Sequence, residues 1–489
     1  MALSENEEAK VRDMLTAFEN GRSIDQLPVA DTNNPSDYNI EGVSKKTGES
    51  VKISFVDAIN YATKRVAIRR WRRSEATPKG EPYGNVDYLR DLPNILGLGG
   101  YLVSVDGTMR KLDSSNHYRF ADGSPAKLDG TMGDYMWCWN KFYYAWWVED
   151  GYLYEGASDS PILGRLNYYI PAGGTSALGA GVMDRTNGIL CSVVSDDPRY
   201  RGGDNDSGKD SLFNTLLGKV STVMSVSSSS AAARKKGQGW EASWYITNRA
   251  VEILYRIIMG NRHAQAAVIK EKDANGLFQG GTGIGVTGAG GWWGEKFGYC
   301  PFIPTSFGVE KGDFTGELPF EVKDEGGVIL ATVNVPFFFG LKNFFGHIGN
   351  IENGVVMNKL ADGSADYYVA PSFYAPFNIN SIEGLIKATN CPANSPAGWK
   401  YISEISMQNL CGAPTVGDAS SATFFADGWY NDNATSGLRA AFRRGLANFG
   451  TYAGLASLYG DDGVSSASVY WSSPLCFLAE DATPVPQQY

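Results

Sequence analysis

The sequence predicts an α+β protein in which strands dominate: a short helix and a small hairpin at the N-terminus, then a large β-rich body. Three observations carry this. Aromatic residues and glycine are abundant together, with 12 Trp, 26 Tyr, 23 Phe and 58 Gly in 489 residues, a composition that suits strands closed by tight turns. Long helical periodicity is clearest at Trp240–Met259, where Trp244, Val251, Leu254 and Ile258 share one face. Apolar runs are punctuated by hairpin turns, as at Asp106-Gly107 in LVSVDGTMRKL and Glu325-Gly326-Gly327 in VKDEGGVILATVNVPFFFG.

The elements follow in order. Over residues 4–20, Ser4 and Glu7 form a capping box and Gly21 ends the last turn. Val11, Met14, Leu15 and Phe18 make one apolar stripe. So short a helix is marginal alone in water and must dock, on a sister chain or a larger particle. Strand-like runs at Tyr38–Val43 and Ser50–Phe55 flank a turn at Lys45–Gly48, and a helix is expected from near Asp57. That helix would carry Lys64, Arg65, Arg69, Arg70, Arg72 and Arg73 around Trp71. A solvated helix end is the preferred reading of this tract, ahead of an acidic partner protein and nucleic acid. Ser74–Tyr83, with Pro78, Gly80 and Pro82, reads as a linker. The expected division is thus residues 1–75, 76–235 and 236–489. MWCWNKFYYAWW (Met136–Trp147) reads as one aromatic core strand, and Ser225–Gly239, SVSSSSAAARKKGQG, as a mobile low-complexity loop.

Charge and motifs narrow the chemistry. A net charge of −10 argues against non-specific nucleic-acid binding. Cys138, Cys191, Cys300, Cys391, Cys411 and Cys476 are scattered without a C-x-x-C spacing, which favours buried free thiols. The polar start MALSENEEAK reads as lacking a signal peptide, and no run of about 18 apolar residues is present, so no membrane insertion is expected. Gly283-Ile284-Gly285-Val286-Thr287-Gly288 matches a dinucleotide fingerprint only in its glycines, because no strand–helix frame surrounds it. Asp204-Asn205-Asp206-Ser207-Gly208 fails calcium-loop spacing, with Gly208 fifth and Thr215 twelfth. No cofactor, metal or enzymatic role is expected, although an unmarked carboxylate pair for glycoside hydrolysis stays open.

The stretch Gly437–Phe477, GLRAAFRRGLANFGTYAGLASLYGDDGVSSASVYWSSPLCF, differs from a core-building segment. Its small-residue frame displays unlike bulky or charged side chains one at a time, as recognition surfaces do.

Three resemblances extend this reading. SIDQLPVADTNNPSDYNIEGVSKKTGESVKISFVDAINYA resembles the N-terminal attachment module of phage fibre proteins. Gly437-Leu438-Arg439, Arg444-Gly445, Ala453-Gly454-Leu455 and the Ser465–Val469 run resemble the variable region of retroelement-diversified proteins. That resemblance implies a C-type-lectin-like fold, related to the formylglycine-generating enzyme fold, over residues 236–489. It implies ligand-facing Phe442, Arg443, Leu446, Ala447, Phe449, Tyr452, Tyr459, Asp461, Asp462, Tyr470 and Trp471. Two departures stand out: the family often has Gly-Gly at Arg444-Gly445 and G-F-R at Ser473-Pro474-Leu475. Cys476 lacks the close cysteine neighbour of the enzyme branch. The wider body, including YYIPAGGTSALGAGVMDRTNG, PFFFGLKNFFG and LCFLAED, is similar to fibre proteins of phages infecting gut Bacteroidetes, including the crAss-like group. The expectation is a homotrimeric head or tail fibre, made in the host cytoplasm. It would join other virion proteins through residues 1–75 and adhere to host-surface glycan or protein. A purely structural decoration protein and a glycan-degrading virion enzyme are the alternatives.

Overall fold

A computed structural model describes residues 39–43 and 50–54 by their backbone, and residues 65–210, 215–272, 303–323, 326–394, 398–431 and 436–489. The amphipathic stripe of Val11, Met14, Leu15 and Phe18, the 283–288 glycine motif and Cys300 lie outside them. The N-terminal hairpin forms in the expected place, with Asn39 opposite Ser54 and Val43 opposite Ser50.

Three larger sheets carry the body. A six-stranded antiparallel sheet runs in the order Gln487–Gln488, Leu166–Ile170, Phe142–Glu149, Tyr152–Ser158, Ala67–Arg72, Glu81–Gly84. A seven-stranded sheet runs Trp240–Ala242, Leu475–Leu478, Gly173–Ser176, Asp134–Trp139, Gly99–Val103, Met109–Asp113, Asn116–Phe120. An eight-stranded sheet runs Ile386–Cys391, Ala365–Val369, Gly349–Lys359, Gly437–Arg443, Leu458–Tyr459, Gly428–Tyr430, Trp399–Tyr401, with Trp471–Ser472 set parallel to the start of Gly349–Lys359. The helix Tyr245–Met259 packs among them and is buried from Tyr245 to Ile257. It ends at Gly260 in the left-handed region, φ 63°, where a side chain would be strained. The seven-stranded sheet mixes strands from both sides of residue 235, so the boundary expected there does not separate two sheets.

Over Ala67–Arg72 the arginine tract is a strand, which corrects the helix expected there; residues 57–64 of that expected helix lie outside the described residues. Ala67–Arg72 pairs with Tyr152–Ser158 and with Glu81–Gly84. Alternation sends Arg69 and Trp71 one way and Arg70 and Arg72 the other. Arg70 and Arg72 lie over the Tyr152 ring, at 4.3 and 4.8 Å, and Arg70 also pairs with Glu81 at 3.0 Å. Arg69 Nε donates to Ile257 O at 2.9 Å, satisfying the end of the long helix. These cations find partners within the chain. The expected linker is docked as well: Trp71 Nε1 donates to Pro78 O at 3.0 Å and Gly80 N to Gly260 O at 2.8 Å.

Two further expectations change. The aromatic run 136–147 turns at Asn140-Lys141, so Asp134–Trp139 and Phe142–Glu149 belong to different sheets. The serine-rich segment forms a helix, Val226–Arg234, with a reciprocal cap: Ser225 Oγ accepts from Ser228 N, and Ser228 Oγ accepts from Ser225 N. Its buried residues, Val226, Ser229, Ala232 and Ala233, fall on one helical face that low-complexity composition conceals. The Asp106-Gly107 hairpin and the 316–338 hairpin form as expected. The five described cysteines are free and buried.

Candidate functional site

The Gly437–Arg443 strand lies between Gly349–Lys359 and Leu458–Tyr459. An interior strand shows its two faces to two layers. Arg443 therefore points toward the long helix, and Phe442 toward the other face, where it packs with Ile351, Leu446 and Trp471. Phe442, Arg443, Leu446, Ala447 and Trp471 are buried. This corrects the outward-facing role given to these five: both faces of the strand carrying Phe442 and Arg443 are covered, Leu446 and Trp471 pack against Phe442, and Ala447 N donates to His347 O at 3.1 Å. Asp461 is held by the Lys359 ammonium, and Asp462 Oδ2 accepts from Ser466 Oγ at 3.1 Å. Tyr470 is partly exposed, and its carbonyl accepts from Gly349 N at 3.1 Å.

Phe449, Tyr452 and Tyr459 stay partly exposed and are brought together with Trp399, Tyr401 and Tyr430, which sequence reasoning missed. The six rings form a ladder. Tyr401 stacks on Tyr452 with centroids 4.7 Å apart, and Tyr452 stacks on Trp399 at 5.0 Å. Trp399 leans on Tyr430 at 5.3 Å, Tyr430 stacks on Tyr459 at 5.2 Å, and Phe449 meets Trp399 edge-on at 4.7 Å. The inner end is anchored by buried Trp471, 6.1 Å from Tyr459 and 4.2 Å from Phe442.

Local sequence explains the ladder. In Trp399–Tyr401, the two aromatics share a face and Lys400 takes the other; in Gly428–Tyr430, Tyr430 joins that face while Trp429 turns into the core. Trp399 sits opposite Tyr430 and Tyr401 opposite Gly428. A Cβ at Gly428 would lie 2.5 Å from Tyr452 Cβ and 2.9 Å from Trp399 Cε3. The missing side chain is the slot that Tyr452 fills. Gly428→Ala is expected to expel Tyr452, to cost about 1–3 kcal/mol in a urea melt, and to weaken the near-ultraviolet circular dichroism of the coupled rings. The signal in the sequence was period-two spacing in W-K-Y and G-W-Y, over segments too short to stand out.

The departure at Arg444-Gly445 has a local solution. Arg444 and Gly445 both adopt φ 71°, a conformation unfavourable for arginine. The Arg444 carbonyl accepts from Gly346 N at 3.1 Å, and its buried guanidinium donates to Asn248 Oδ1 at 3.1 Å. Contact with the long helix replaces the freedom that a second glycine would give.

Beneath the ladder runs a buried chain of alternating charges. Arg443 Nε donates to Glu352 Oε2 at 2.9 Å, and Arg249 Nη2 donates to Glu352 Oε1 at 2.6 Å. Arg249 also meets Glu252 at 2.8 Å, Glu252 faces Arg256 at 3.7 Å, and Arg256 grips Glu155 with two 3.0 Å bonds. Tyr367 Oη donates to Glu352 at 2.7 Å, and Asn248 Nδ2 at 3.2 Å. Burial works against the Glu352 carboxylate, but Arg249 and Arg443 hold its pKa below the ordinary value. Burial raises the Glu252 carboxyl despite its arginines.

Among the described residues no cluster of three or more His, Cys, Asp or Glu could hold a metal ion. In the acidic loop, Lys209 Nζ lies 3.0 Å from Asp204 and 3.6 Å from Asp206. The described residues contain no helix long and apolar enough to cross a membrane. No protein-family model matches the chain, and no curated protein matches its sequence.

Proposed function

We propose that this chain is a fibre protein of a tailed-phage virion that adheres to host-surface glycan through the aromatic ladder. In this reading residues 236–489 form a C-type-lectin-like display region, and residues 1–75 attach a homotrimer to the particle. The observation that carries it is the run of five adjoining, partly exposed rings from Tyr401 through Tyr452, Trp399 and Tyr430 to Tyr459, stacked at every step except the tilted Trp399–Tyr430 contact. Flat rings fixed by their neighbours offer the C–H faces of sugars a wide contact at low entropy cost. Several copies per particle turn weak sites into avidity. The reading invokes no nucleic acid and no membrane insertion.

Changing Trp399, Tyr452 and Tyr459 together to Ala is expected to lower binding of purified protein to host cells by ~100-fold or more, the loss of about two hot-spot anchors. Equal binding by wild type and variant, with both folded, rejects the reading. Burial of Phe442, Arg443, Leu446, Ala447 and Trp471 favours a second reading, a structural decoration protein. On that reading, particles whose ladder is covered by antibody adsorb to cells at the normal rate.

A further inference from the structure

A second concave site lies where the six-stranded sheet meets the loops after Trp399–Tyr401. It is a cleft of about 220 Å3, smaller than a pocket for a drug-sized ligand and suited to one ring. Trp71, Phe424 and Phe425 line its inner part, and Trp146 and Val148 its outer wall. Trp146 is 37% exposed and Val148 50%, an uncommon use of solvent-facing strand positions.

Arg262 lies on the lining and is only 8% exposed. Its guanidinium faces the rings of Trp71, Phe424 and Phe425 at 5.3–5.6 Å. Its Nη2 makes one long bond, 3.4 Å to Thr77 O, and its Nε has no hydrogen-bond partner. The carboxylates nearby are already engaged: Glu155 is gripped by Arg256, and Glu404 lies 3.4 Å from Arg73 at the rim. Burying a cation without a carboxylate partner is costly, and here burial lowers the Arg262 pKa to about 10. Of the two lining arginines, Arg73 has Glu404 and Arg262 has no carboxylate at pairing distance among the described residues. Two engaged carboxylates beside it disfavour a dianion, so a phosphate monoester fits poorly.

We propose that this cleft binds a carboxylate-bearing sugar ring, a uronic-acid type of residue, with its carboxylate on Arg262 and a C–H face against Trp146. The site is separate from the ladder and does not depend on the adhesion reading. The planar guanidinium pairs with carboxylate through parallel N–H donors, and the exposed indole selects a ring over a bare anion.

The test is calorimetric titration of the full-length protein with D-glucuronate, with D-glucose and acetate as controls and a tripeptide with a free C-terminus as competing carboxylate source. Glucuronate is expected to bind at least tenfold tighter than glucose or acetate. Arg262→Gln is expected to remove the preference over glucose. Trp146→Ala, a change at a partly exposed position, is expected to weaken glucuronate at least fivefold while preserving the fold by circular dichroism. The Trp399, Tyr452 and Tyr459 triple variant is expected to keep glucuronate binding. Absence of glucuronate binding, equal binding of glucose, or an unaffected Trp146→Ala protein overturns the proposal. Tighter binding of the tripeptide overturns the sugar assignment.

Discussion

Glu352→Ala is expected to lower stability by about 3–5 kcal/mol, enough to shift the urea midpoint far down or to leave the protein insoluble. Glu352 accepts from Arg443, Arg249, Tyr367 and Asn248, and both arginines and the glutamate are about 0–1% exposed. Removing the carboxylate strands the Arg443 guanidinium in the interior and leaves Arg249 with Glu252 as its charged partner. The other acceptors, Tyr367 Oη beside Arg443 and the carbonyls of Cys411, Gly412 and Ala456, carry no formal charge. The arginines also bridge the eight-stranded sheet and the long helix, so the cost extends to the layer contact beneath the ladder. Glu81→Ala, which breaks the exposed pair with Arg70, is expected to change stability by under about 1 kcal/mol. Equal midpoint shifts in the two variants would show that the buried chain of charges is not what joins these layers.

Acid is expected to weaken the fold through His347. The ring is 2% exposed, and Nδ1 lies 2.5 Å from Asn343 Nδ2, an amide donor that needs an unprotonated nitrogen. Burial, and then the charge of Lys219, lower its pKa to about 3. The unfolded chain takes up this proton near pH 6.5 and the folded chain only near 3. Between those values the unfolded state binds more protons, so stability is lost as pH falls. At pH 4 the loss relative to pH 7 is roughly 3 kcal/mol. Asp427, Asp134 and Glu252 have raised pKa values from burial and act in the opposite direction. The measurement is therefore a difference: urea stability of wild type minus that of His347→Gln, from pH 7 to pH 4. The difference is expected to fall by roughly 3 kcal/mol, and a flat difference would refute the assignment. The His347 carbonyl accepts from Ala447 N at 3.1 Å, so protonation strikes directly under the loop that leads to Phe449 and Tyr452.

Local signals in the sequence led to correct elements where chemistry and neighbours agreed. Asp106-Gly107 turned a hairpin because flanking alternation and turn residues asked for the same geometry. The long helix was legible from Val251, Leu254 and Ile258, but its start was not, since Trp240–Ala242 is a strand and Trp244 is the extended N-cap, and neither was its other face. Arg249, Glu252 and Arg256 have the spacing of a solvated stripe, and only their partners Glu352, Arg443 and Glu155, distant in sequence, reveal that they are buried. The arginine tract misled in the same way, since the Tyr152 ring under Arg70 and Arg72 is contributed by another strand. At the candidate site, the glycine-framed stretch supplied Phe449, Tyr452 and Tyr459. Alternation along an interior strand removed Phe442 and Arg443, and the other half of the ladder came from three-residue strands whose register is set by tertiary pairing.

The strand Leu475–Leu478 lies inside the seven-stranded sheet, between Gly173–Ser176 and Trp240–Ala242. Ribosomes deliver a chain from its first residue to its last. At ordinary elongation rates Gly173–Ser176 waits tens of seconds for its neighbour to be made. During that interval it presents an open edge that any passing strand can join. Each nascent copy must therefore be kept apart from its sisters until residues 475–478 emerge, because that late strand is the one that closes the gap.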